Sequence, residues 1–124
     1  MKNKIPGLRD LLIAALVGFA VAGSMTNLAS ADVASGKHLF TTDCVRCHKA
    51  DGSGGLKFGK TTTADLRAPD LEQQYKTDAA IAAAILDGKD EEGKGLDAIM
   101  PHWRGKLSEA NVASIIEYLK TLKK

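Results

Sequence analysis

Cys44, Cys47 and His48 stand in one run, Cys44-Val45-Arg46-Cys47-His48, and the chain has no other cysteine. Three chemistries use such a set. A dithiol redox centre takes two cysteines two residues apart and sets them beside a βαβ unit. A zinc site would take both cysteines and two of His38, His48 and His102. Structural zinc draws its ligands from two spaced pairs, and here the second pair is missing. The third chemistry uses the adjacency of Cys47 and His48. Cys-x-x-Cys-His is the attachment motif of c-type haem: two thiols add to the porphyrin vinyl groups, and the next residue brings its imidazole beneath the iron. Covalent attachment also accounts for a lone cysteine pair in an exported chain, where a disulfide is otherwise expected. The third reading is favoured.

Iron held this way takes a sixth ligand or keeps an open face. Beyond the N-terminal segment, Met100 is the only methionine, and Pro101 follows it and stiffens the backbone. A methionine in a small domain is often gap-filling core. A soft thioether opposite histidine favours ferrous iron and raises the reduction potential. His102, two positions on, is a competitor, and His38 is expected to face solvent. Trp103, the only tryptophan, is expected to pack beside the cofactor.

The elements that position these residues read as helices. Asp32 caps a helix from Val33 to about Thr41 and sets Gly36 and Phe40 on one face. Thr61-Thr62-Thr63 is expected to start a short helix through Leu66, and Pro69 to begin another turn. Thr77 to Leu86 is an alanine-rich helix that Thr77 or Asp78 caps and Gly88 ends. Ser108 starts the last helix, with Val112, Ile115, Ile116, Leu119 and Leu122 at amphipathic spacing. Three glycines in Asp51-Gly52-Ser53-Gly54-Gly55 lack the spacing and preceding strand of a phosphate cradle, so they read as a loop around something bulky. Residues 87–97 read as a solvated acidic loop. No sustained period-2 alternation occurs, and the expected class is all-α with three to five helices.

The 124 residues divide unevenly. Lys2, Lys4 and Arg9 precede an apolar run from Leu11 to Val21, and small residues end in Ala29-Ser30-Ala31. That order is a secretory signal peptide, residues 1–31, cut after Ala31. A retained N-terminal anchor is the alternative. The remaining domain, residues 32–124, holds 124 − 31 = 93 residues. It carries 17 − 3 = 14 cations and 15 − 1 = 14 anions, a balance that gives no reason to expect a nucleic-acid partner. Its apolar residues beyond alanine number 37 − 12 = 25, a thin core at this size. Domains this small often lean on a metal or cofactor.

In order, Gly36 and Phe40, Cys44 to His48, Ala68-Pro69-Asp70-Leu71, Met100-Pro101 and a last helix with Tyr118 resemble a class I cytochrome c of the small bacterial single-haem type. The resemblance covers residues 32–124 and implies the cytochrome c fold around one covalently attached haem c per chain. It makes Cys44 and Cys47 the thioether positions, His48 the proximal ligand and Met100 the distal one. It packs Gly36 and Phe40 against the last helix near Tyr118. It also makes the Pro69 carbonyl the acceptor for the His48 ring N–H, across a longer interval than many members have. The implied protein is a periplasmic electron carrier, not an enzyme, that meets redox partners transiently. A haem subunit of a larger oxidoreductase, and a haem with an open sixth site for gas or peroxide, are the alternatives.

Overall fold

The computed structural model describes residues 31–124, so the expected signal segment lies outside the described residues except for Ala31. Five helices follow in chain order: α1 (Val33–Asp43), α2 (Val45–His48), α3 (Asp70–Gln74), α4 (Asp78–Asp87) and α5 (Glu109–Leu119). One small antiparallel hairpin, β1 (Lys57–Phe58) with β2 (Thr61–Thr62), lies between α2 and α3. The class is all-α, as the sequence implies.

Local chemistry sets each helix end. The Asp32 carboxylate accepts from the N–H groups of Ala34 and Ser35 at 3.1 and 3.0 Å. Thr77 caps α4 through Ala80 N–H, and Gly88 closes it in the left-handed region at φ 59°. Ser108 and Asn111 form a reciprocal capping box on α5.

The expected helix over 61–66 is corrected. Thr61 and Thr62 pair with Phe58 and Lys57 across a two-residue turn, Gly59-Lys60. Gly59 has φ 60°, the left-handed setting that tight hairpin turns require. Consecutive β-branched threonines favour extended backbone over helix. Thr63 prolongs the pairing: its N–H donates to Leu56 O at 2.9 Å, and its carbonyl accepts from Gly55 N–H at 2.9 Å.

The terminal helices α1 and α5 cross at Gly36. A Cβ on Gly36 would lie 1.9 Å from the carbonyl oxygen of Ser114, so only glycine allows this approach. One turn along, the rings of Phe40 and Tyr118 meet tilted at 55°, 5.3 Å between centroids. Asp32 N–H donates to Ser114 Oγ at 3.1 Å across the same crossing. Phe40, Val112 and Ile115 are the most deeply buried side chains of the core. α4 packs its Ile81, Ala84 and Ile85 against α5. Among the described residues, no helix is long and apolar enough to cross a membrane.

Candidate metal centre

The core surrounds a hollow of about 560 Å³. Phe40, Leu71, Ile81, Ile85, Ile115 and Leu119 are core residues that also line it. Protein interiors are close-packed with few voids larger than a water molecule. A gap of this size walled by aliphatic and aromatic groups therefore fits a large apolar occupant.

Cys44, Cys47, His48 and Met100 all line this one cavity. α2 is a single helical turn hung from the end of α1: Cys47 and His48 N–H groups donate to Cys44 O at 3.1 and 3.0 Å. Cys44 is at once the last capping residue of α1 and the first of α2. Both cysteines are free thiols, half-buried. Burial first, then the neighbouring Asp43 and Cys47, pushes the Cys44 thiol up to about 12. A dithiol redox centre needs an easily ionised thiol, so this environment counts against that reading. Among the described residues, no cluster of three or more His, Cys, Asp or Glu side chains could hold a metal ion, which counts against zinc.

His48 Nδ1 lies 3.0 Å from the carbonyl oxygen of Ala64. A carbonyl only accepts, so Nδ1 carries the proton and donates it. That leaves the Nε2 lone pair for a metal. Burial lowers the His48 pKa, opposed by the Ala64 bond, and holds the ring in the neutral form that ligation requires. Ala64 thus takes the place expected of Pro69, whose carbonyl instead accepts from Gln73 N–H at 2.9 Å within the turn that starts α3. The Gly-rich loop holds Ala64 there. Gly54 N–H donates to His48 O at 2.9 Å, and a Cβ on Gly54, at φ 55°, would lie 2.1 Å from Ala64 O.

Met100 sits in a loop between α4 and α5, half-buried. Leu96 N–H donates to Gly88 O at 2.7 Å, and Trp103 N–H to Ile85 O at 3.1 Å, so both ends of the loop return to α4. Arg104 adds a two-pronged bond to Asp87, at 2.5 and 2.7 Å. Trp103 lines the cavity as expected, with Lys106 Nζ 5.7 Å from its ring centroid. His38 is exposed on α1 and stays off the lining. His102 also stays off it, its ring resting on Gly88. The histidine competitors are therefore not brought to the site.

Sequence reasoning missed Ala64, Thr61 and the half-exposed Phe58 and Ile99, all of which line the cavity. A backbone carbonyl has no side-chain signature, but paired glycines at 54 and 55 facing a β-branched run were a usable sign of tight backbone approach.

Known proteins give the same picture. The family model described as cytochrome C oxidase, cbb3-type, subunit III matches residues 31–119. Cytochrome c6 of Synechocystis sp. (strain ATCC 27184 / PCC 6803 / Kazusa) is 32% identical over 73% of this chain and 65% of its own length. Cytochrome c6 of Leptolyngbya boryana is 32% identical over 72% of this chain and 91% of its own. The chain thus spans a little under two thirds of the Synechocystis protein and nearly all of the Leptolyngbya one. Among solved structures, cytochrome c6 of the diatom Phaeodactylum tricornutum aligns with a TM-score of 0.51 at 27% identity, covering 71% of this chain and 90% of that one. A family match across most of the domain, a shared helical fold and a Cys-x-x-Cys-His turn on an apolar hollow place the chain in the family of class I c-type cytochromes, which carry haem.

Proposed function

We propose that this chain is a periplasmic single-haem electron carrier. Cys44 and Cys47 would tether one covalent haem c, His48 and Met100 would hold its iron, and transient redox proteins would be its partners. The observation that supports this reading best is that both thiols, the imidazole and the thioether line one apolar cavity of about 560 Å³. The bound haem supplies an iron that exchanges single electrons without making a bond to substrate.

The residues divide the remaining work. Ala64 O fixes the His48 tautomer and makes the imidazole the more basic ligand. The Met100 thioether favours the reduced metal. Phe40, Ile85 and Ile115 exclude water and keep the local dielectric low. With both His48 and Met100 given to the iron, no position would remain for substrate, which suits a carrier rather than an enzyme. Residues 1–31 act as the export signal, and Edman sequencing of the periplasmic protein is expected to begin at Asp32.

Absorption spectra of both oxidation states, with a pyridine haemochrome assay, test attachment and ligation together. The expected result is one haem c per chain and a weak far-red ferric band from the sulfur–iron bond. Loss of that band together with fast CO binding by the ferrous form would instead establish an open sixth site. The oxidase-subunit description of the matching family favours a second reading, a haem subunit that feeds electrons to one fixed enzyme. Co-purification of a stoichiometric partner through high salt would decide for it.

A further inference from the structure

Asp97 organises the tip of the Met100 loop. Its Oδ1 accepts from Ile99 N–H at 3.0 Å, and its backbone oxygen accepts from Met100 N–H at 3.0 Å. Its remaining oxygen, Oδ2, accepts from the hydroxyl of Thr61 on β2, a residue 36 positions earlier. Among the described residues, Asp97 has no cationic partner, so Thr61 is the one side chain that holds it. Thr61 and Asp97 both line the cavity beside the half-exposed Phe58 and Ile99, which places their bond at the mouth.

The other end of the same short segment reaches the opposite ligand. Three residues after Thr61, Ala64 O receives the His48 ring N–H. Between them Thr63 is fixed from behind, its carbonyl by Gly55 N–H at 2.9 Å and its hydroxyl by Leu56 N–H at 3.0 Å. Residues 61–64 therefore form a stiff rod that touches the histidine at one end and the methionine loop at the other.

Building on the reading of His48 and Met100 as axial ligands, we propose that residues 61–64 are a yoke across the cavity mouth and that Thr61 and Asp97 are positioning residues for Met100. With the Thr61–Asp97 bond made, the methionine loop swings away from the metal only if it breaks a hydrogen bond to a charged acceptor. Without that bond, its tip is free and only its ends are restrained, by the backbone contacts of Leu96, Trp103 and Arg104 and by the Arg104–Asp87 pair. The yoke thereby sets how often the sixth position opens, while Met100 itself supplies the ligand.

The test uses the haem-loaded protein with Thr61→Val, which removes the hydroxyl and keeps the shape, and Thr61→Ser, which keeps the hydroxyl. Two quantities are read: the temperature at which the far-red ferric band disappears, and the rate of CO association with the ferrous form. Thr61→Val is expected to lower that temperature and speed CO association about tenfold, the equivalent of about 1.4 kcal/mol and the scale of one charge-assisted hydrogen bond. Thr61→Ser is expected to stay near wild type on both. The yoke is overturned if Thr61→Val stays within about twofold of wild type while the wild type shows the far-red band, or if Thr61→Ser is as impaired as Thr61→Val. A wild-type protein that lacks the band overturns the Met100 ligand itself, which separates the two failures.

Discussion

His48 ends a helical turn fastened to α1, while Met100 rides on a loop that only its ends and one side-chain bond restrain. The histidine side rests on the buried crossing of α1 and α5, with Gly36 against Ser114 and Phe40 against Tyr118. The methionine side rests on three backbone returns to the end of α4, from Leu96, Trp103 and Arg104, an exposed Asp87–Arg104 pair and the Thr61–Asp97 bond. Buried apolar contact is worth far more than exposed ion pairs, which contribute about 0–1 kcal/mol. His48 and Met100, the two ligands proposed above, are therefore held with unequal firmness. One side belongs to the fold, and the other is free to open without unfolding it.

Damage to the two sides should separate stability from ligation. The largest effect is expected from Gly36→Val. Its side chain would collide with the Ser114 carbonyl and drive α1 from α5, costing about 3 kcal/mol or more in the urea-unfolding midpoint analysis and sharply lowering haem incorporation. Met100→Ala should do the opposite. Far-ultraviolet circular dichroism should keep the helical signal, while CO association with the ferrous form rises about 100-fold or more. That factor follows if the wild-type sixth position is open about 1% of the time. A Met100→Ala protein that loses its helices would show the methionine loop to be part of the fold after all.

A finer probe acts on the histidine side without touching the helix crossing. Gly54→Ala would set a Cβ 2.1 Å from Ala64 O at a φ of 55°, straining both backbone and carbonyl by about 1–3 kcal/mol. Displacing that carbonyl weakens the hold on the His48 ring proton, makes the imidazole a less basic, weaker donor, and so would stabilise ferric iron less. The midpoint potential is expected to rise, and the His48 ring N–H should exchange faster by NMR. An unchanged potential with accelerated exchange would confine the Ala64 bond to orienting the ring.

The smallest effect is a dependence on pH. The Arg67 guanidinium, paired with Asp65 beside Ala64, holds the Asp65 carboxyl down to about 2. A carboxyl depressed in the folded state contributes stability above its unfolded value near 3.9 and loses it as pH falls toward 2. Denaturation midpoints should therefore decline between about pH 4 and pH 2, and Asp65→Asn should flatten that decline while leaving CO association unchanged.

The histidine side was largely legible in the sequence, and the reasons are local. The Cys44–His48 run is contiguous, and Gly36, Phe40 and Tyr118 announce themselves by size and helical spacing. Met100 drew attention because no other methionine stands in the domain, and it lines the cavity. What stayed hidden depends on backbone and on distance. The resemblance assigned the partner of the His48 ring to Pro69, and the carbonyl of Ala64, which takes that place, leaves no side-chain mark in a sequence. The threonine run read as a helix start because Gly59 was not recognised as the left-handed corner of a hairpin. Asp97 read as one more solvated acid, because nothing local ties it to a threonine 36 positions away.

The Gly36–Ser114 crossing also dictates an order of events. It joins positions 114 − 36 = 78 apart, and Cys44, Cys47, His48, Thr61, Asp97 and Met100 all fall inside the loop it closes. Closing such a loop costs about 4 kcal/mol of chain entropy before any contact repays it. A chain synthesised from its N-terminus presents the Cys-x-x-Cys-His turn long before α5 exists to meet Gly36. The thiols are thus exposed on the growing chain before the clasp that shuts the cavity can form.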